Sequence, residues 1–197
     1  MRTAFTIPCL IASGTNKDTF GSSSFSENPN IVLTLGNLCI DFYKQNKIAT
    51  VIKHIPGHGF AKSDSHYKTP IISEKKSLLI SKDFKPFKYC KSLFAMTAHA
   101  IYSSYDKKNT ATHSKIIIND VIRKYINFNG ILISDDISMK SLKYELEENA
   151  SKALTAGCNL ILHCNGNIKE MTRLVKVIPK IDKFIIKKTS QFYNFLG

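Results

Sequence analysis

The sequence predicts an α/β fold built on a parallel sheet, and three observations predict it. Five short, near-continuous apolar runs recur along the 197 residues, as strands buried on both faces require. Amphipathic stretches of helical period separate them. Polar and charged residues gather directly after the runs, at the sheet edge where parallel α/β folds carry their chemistry.

The predicted strands cover 6–12, 48–55, 93–99, 130–135 and 159–164. The predicted helices cover 30–46, 73–80, 114–125, 145–156 and 169–177, with a last one over 182–195. In the first helix, Pro29 precedes Ile31, Leu35 and Leu38 at helical spacing, which marks these three as its apolar face. Ser114 is placed to cap the helix that carries Ile117, Val121 and Ile122. Asn127-Phe128-Asn129-Gly130 then turns the chain into the fourth strand. Strand and helix alternate, so the connections are expected to be right-handed crossovers. No internal repeat or low-complexity linker interrupts the pattern, and 1–197 reads as a single domain. Five β/α units fit an open doubly wound sheet or part of a barrel, and periodicity does not choose between them.

Composition excludes several classes. No apolar run approaches the roughly 18 residues of a membrane span, and the first residues lack the apolar stretch of a secretory signal. A cytoplasmic chain is the expectation. Five cysteines, at 9, 39, 90, 158 and 164, contain no CxxC pair. They read as reduced, mostly buried small hydrophobes. The net charge of +13 invites a nucleic-acid reading, but the lysines are scattered and no nucleic-acid motif is present. No specific nucleic-acid partner is expected. No GxGxxG follows the first strand and no GxxxxGK[ST] occurs, so nothing supports nucleotide phosphate binding.

Two clusters carry chemistry. Lys53-His54-Ile55-Pro56-Gly57-His58-Gly59 runs from a strand into a loop that continues to Asp64-Ser65-His66. His54 and His58 are four apart, a metal-binding face on a helix, but Pro56 and Gly57 between them argue against a helix. Asp64 and His66 are two apart, so an extended segment projects both the same way. A carboxylate beside an imidazole orients it for proton transfer; a solvated loop histidine is the equally weighted alternative. The second cluster is Ser134-Asp135-Asp136, where two acids follow a buried strand. Alternation sends one inward and the other outward. Asp135 reads as functional, because an inward carboxylate costs free energy unless it is paired or used. Asp136 reads as the cap of the segment that follows it. His99 is as readily a core histidine as a contact.

Together these residues resemble one family. Lys53 to Gly59 with Asp64-Ser65-His66 is similar to the KHFPGHG…DSH signature of family 3 glycoside hydrolases, specifically bacterial β-N-acetylglucosaminidases. Met96-Thr97-Ala98-His99, the block from Phe128 to Asp136 and the stretch from Ala156 to Asn165 match in the same order. The resemblance implies a (β/α)8 barrel, of which this chain would hold about strands 3 to 7, and no metal or organic cofactor. It implies retaining hydrolysis of terminal β-N-acetylglucosamine from muropeptides in cell-wall recycling. Asp135 would be the nucleophile, His66 the acid/base, Asp64 its orienting partner, and Lys53 and His54 the holders of sugar hydroxyls.

Two departures accompany the match. Family members run well beyond 300 residues, so the chain is expected to be N-terminally truncated and to lack an acid and a basic sugar ligand. Ser23 stands where the family pattern has an arginine expected to hold substrate. A partial barrel exposes two strand edges; a separate N-terminal chain, self-association or an inactive remnant would each account for one.

Overall fold

The computed structural model describes residues 7–10, 25–63 and 68–196. Five strands form one sheet: β1 (Ile7–Leu10), β2 (Thr50–Ile55), β4 (Phe94–Thr97), β6 (Ile131–Asp136) and β7 (Leu160–Leu162). Their order is β1-β2-β4-β6-β7 and every pairing is parallel. All five fall on the predicted runs. Two further strands, β3 (Ile71–Ile72) and β5 (Ile101–Tyr102), pair in a separate two-stranded sheet that the sequence reading missed.

The helices are α1 (Pro29–Gln45), α2 (Lys76–Leu78), α3 (Lys85–Lys88), α4 (Leu146–Ala156), α5 (Ile168–Val177) and α6 (Lys183–Leu196). Two stretches wind more widely, as π-helices over Leu79–Asp83 and Ile117–Tyr125. The predicted helix over 73–80 is therefore only the short α2 and the start of the first wide turn, closed by the Phe84 N–H on the Leu79 carbonyl at 2.8 Å. Ser114 acts as expected: its hydroxyl accepts the Ile117 N–H at 3.2 Å.

Register explains which face is covered. Ile52, Ala95 and Leu132 lie side by side across β2, β4 and β6, and all are fully buried. They pack with Val32 and Ile40 of α1, with Leu79, Phe84 and Phe87, and with Ile117, Ile118 and Ile122. The next row, Lys53, Met96, Ile133 and Leu160, points to the other face and is only half-buried. Helices thus clothe one side of the sheet and leave the inner side more open.

The face assigned to α1 needs correction. Ile31, Leu35 and Leu38 are exposed, together with Phe42, whereas Pro29, Val32, Gly36 and Ile40 are buried. The helix is apolar on two sides. The side with Gly36 is the buried one, and the helix packs on β1, β2 and α3. The expectation of mostly buried cysteines is also corrected: Cys158 is buried, Cys39 and Cys90 are half-buried and Cys164 is exposed.

Candidate active site

The site is built at the C-terminal ends of β2, β4 and β6, and a bulge prepares each outer strand. On β2, Lys53 pairs with Met96 but Ile55 pairs with Thr97, so the register shifts by one residue at His54. On β6, Ile133 pairs with Leu160 and Asp136 with Leu162, which inserts one extra residue at Ser134-Asp135. The Ser134 hydroxyl repairs the second break by accepting the Leu162 N–H at 3.0 Å. Bulges re-aim the side chain beside them, and are common next to active sites.

The two re-aimed side chains meet. His54 Nε2 lies 3.4 Å from Asp135 Oδ2, with 15% and 13% of their side chains exposed. Strands β2 and β6 are not neighbours, since β4 runs between them. Two inter-strand spacings, about 10 Å, are therefore bridged by side chains reaching over the end of β4. Asp135 is fixed from its own backbone as well, its Oδ1 accepting the Asp136 N–H at 2.9 Å.

Asp136 plays the structural part. Its Oδ1 accepts the Ser138 N–H at 3.0 Å and its carboxylate takes the Ser138 hydroxyl at 2.8 Å and 2.9 Å. It caps a turn rather than a helix, because α4 begins only at Leu146. The inward and outward split predicted for the pair thus separates a site carboxylate from a turn-capping one.

Beneath β4 lies a polar chain. His99 is fully buried. Its Nε2–H donates to the Asp136 carbonyl at 3.0 Å, which leaves Nδ1 to accept from the Thr112 hydroxyl at 2.7 Å. Thr97 in turn meets the Thr112 oxygen at 2.9 Å. Burial holds the His99 pKa below its ordinary value, only partly opposed by Asp135 and the Asp136 carbonyl. His99 is a neutral strut under the backbone that carries Asp135, which decides the alternative left open by the sequence.

The loop after β2 is held from behind. The Gly59 N–H donates to Asp83 Oδ1 at 2.9 Å, and the Tyr102 hydroxyl donates to the Gly57 carbonyl. The His58 ring stands 5.5 Å from that of His54. Asp83 and Tyr102 were not singled out from sequence. The available signal was weak: Asp83 lies four residues after Leu79, on the same buried face. Cys164, at the far rim, lies within electrostatic range of Asp135, Asp136 and Lys53.

Of the predicted site residues, the structure brings His54 and Asp135 together and places Lys53 one residue earlier on β2. Asp64 and His66 lie outside the described residues, as does Ser23. Beyond that segment, the Thr69 hydroxyl donates to the Ser141 carbonyl, on the loop that follows β6.

Comparison with known proteins matches residues 8–189 to the glycosyl hydrolase family 3 N-terminal domain. The chain belongs to glycosyl hydrolase family 3. This family 3 chain is 38% identical over 151 residues to a β-hexosaminidase of Actinobacillus pleuropneumoniae, covering 74% of this chain and 44% of that protein. It superposes on the β-N-acetylglucosaminidase of Thermotoga maritima with a TM-score of 0.74 at 28% identity, over 95% of this chain and 42% of the other. The NagZ structure from Neisseria gonorrhoeae gives 0.82 at 24% identity, over 95% and 54%, a likeness of fold. The family 3 chain thus spans less than half the length of the curated relatives it matches. Its parallel sheet with helices on the outer face is part of a TIM-type barrel, as the resemblance implied.

Proposed function

We propose that this chain carries the catalytic side of a retaining β-N-acetylhexosaminidase, removing terminal β-N-acetylglucosamine from muropeptides in the cytoplasm. The observation that carries the reading is the convergence of His54 and Asp135 at 3.4 Å over the end of β4, each re-aimed by a bulge. Similarity to the Actinobacillus β-hexosaminidase and the Thermotoga β-N-acetylglucosaminidase supports the substrate class.

In this reading Asp135 attacks the anomeric carbon while the bond to the leaving oxygen breaks. Its Oδ1 is already engaged by the Asp136 N–H, so Oδ2, the oxygen facing His54, is the attacking atom. His66, oriented by Asp64, protonates the departing oxygen and then takes a proton from water, which releases the sugar. His54 and Lys53 hold hydroxyls of the bound ring. An imidazole replaces the second carboxylate of most glycosidases, and imidazoles ordinarily titrate near pH 6.5, where both halves of the cycle can run.

Hydrolysis of p-nitrophenyl N-acetyl-β-glucosaminide tests the proposal. Turnover is expected, with loss of at least about three orders of magnitude in Asp135→Ala, as for removal of a residue essential to the transition state. Azide is expected to restore product formation in Asp135→Gly, as an azido sugar. Folded protein without turnover would overturn it.

A second reading, a half-barrel completed by another chain, is favoured by the exposed row of Ile31, Leu35, Leu38 and Phe42 on α1, a helix that packs on the edge strand β1. Sedimentation of the purified chain as a monomer would count against self-association. Among the described residues no helix is long and apolar enough to cross a membrane.

A further inference from the structure

We propose that Asp83 is a positioning residue of this site, a carboxyl that fixes the Pro56–Gly59 turn from behind and so sets where His54 stands. The proposal rests on the glycosidase reading of the site and adds to it a residue that touches no substrate.

The geometry is specific. Asp83 ends the π-helix Leu79–Asp83 and is 1% exposed. Its Oδ1 receives the Gly59 N–H at 2.9 Å. Its carboxyl group also lies directly against Gly57, where an added Cβ would fall 2.5 Å from Asp83 Cγ. The turn is therefore clamped at two points three and five residues beyond His54. Tyr102, fully buried on β5, supplies a third hold through the Gly57 carbonyl. The holds on Gly57 and Gly59 lie in the turn that directly follows β2, so they bear on the His54–Asp135 contact through the backbone between.

Packing alone does not require an acid here. The neighbours Leu79, Phe84 and Phe87 are buried and apolar, and the second carboxyl oxygen, Oδ2, is buried without a hydrogen-bond partner. A side chain that leaves half of its polar capacity unsatisfied is costly, and a leucine would fill the space without that cost. The acceptor for Gly59 is what the acid adds. Burial pushes its carboxyl up to about 7, against the opposing effect of the Gly59 N–H. The form clamping the turn below that pH is the neutral acid, whose carbonyl oxygen asparagine reproduces. Tyr102 senses this carboxyl, its own pKa held well above the ordinary value by burial and by Asp83, and the buried imidazole of His58 stands between the two clamped glycines.

Two variants of the full chain separate positioning from filling: Asp83→Asn keeps the acceptor, and Asp83→Leu keeps the bulk without it. Hydrogen–deuterium exchange of the 56–61 backbone at pH 6, and kcat and KM on the chromogenic glucosaminide, are the readouts. Asp83→Asn is expected to stay within about threefold of the parent in both. Asp83→Leu is expected to raise exchange of that segment tenfold or more, with β4 unchanged, and to lower kcat by a similar factor with KM little altered. If Asp83→Leu does not fold, Asp83→Ala takes its place. Equal damage in both variants, or unaltered exchange in the leucine variant, overturns the proposal. Parent protein that shows Asp83-dependent protection of the turn but no turnover would overturn the glycosidase reading and leave the clamp standing.

Discussion

Replacing Gly57 with alanine offers a quantitative test of how tightly the turn is built. A Cβ at this position would lie 2.5 Å from Asp83 Cγ, 2.8 Å from its Oδ1 and 2.7 Å from its carbonyl oxygen. Ordinary contact begins at 3.4 Å, so the backbone atom alone demands a shift of 3.4 − 2.7 = 0.7 Å. A carbonyl oxygen cannot rotate away as a side chain can. Overpacking of this kind costs about 1–3 kcal/mol, and the φ of +155° adds on the order of 1 kcal/mol for a residue with a Cβ. The expected loss is about 2–4 kcal/mol. For a chain of this size each kcal/mol moves Tm by about 2–4 °C, giving a drop of roughly 5–15 °C. Gly166→Ala is the control: its φ is +70° but nothing lies within 4 Å, so about 1 kcal/mol is expected from the backbone alone. Melting followed by circular dichroism reads both. A Gly57→Ala Tm within 2 °C of the parent, or equal losses in the two variants, would refute the close-approach reasoning.

Two further expectations concern pH. The Asp83 carboxyl is raised from 3.8 to about 7 in the folded chain, so its contribution is full below about 4 and is lost as pH rises through 7. Asp83→Asn should therefore gain Tm relative to the parent between pH 4 and pH 7, and hold that gain at pH 8; a constant difference would contradict the assignment. His113 behaves oppositely. Burial, aided by His99, lowers its pKa from 6.5 to about 4. Its contribution is present above 6.5 and is lost as pH falls through 4. His113→Gln keeps a donor for the Asn149 carbonyl, now met at 3.1 Å, and should flatten the fall in Tm between pH 6.5 and pH 4. An unaltered acid slope would show that His113 does not titrate there.

The strands were legible because burial leaves a one-dimensional trace. Ile52, Ala95 and Leu132 sit inside near-continuous apolar runs, and no reading of such runs as surface is possible at that density. The face of α1 was not legible for a related reason. Val32 and Ile40 compete with Ile31, Leu35 and Leu38 on the same helix, and only the packing against β1, β2 and α3 shows which row turns inward. Strands of two residues, such as β3 and β5, carry no period at all. Asp135 stood out because an acid at the end of a buried strand is expensive. Asp83 did not, because Ser81-Lys82-Asp83 reads as solvated surface until Leu79 and Phe84 close over it. The bulges at His54 and Asp135 are likewise properties of pairing between strands, invisible in either strand alone.

The proposed reaction passes through a covalent bond between Asp135 and the sugar. Mass spectrometry after incubation with a fluorinated N-acetylglucosaminyl fluoride, which slows breakdown of a glycosyl-enzyme, tests it most directly. One added sugar is expected on the peptide containing Asp135, absent in Asp135→Ala and long-lived in His66→Ala. Folded, reagent-exposed protein carrying no adduct, or carrying it on another residue, would rule out Asp135 as the nucleophile.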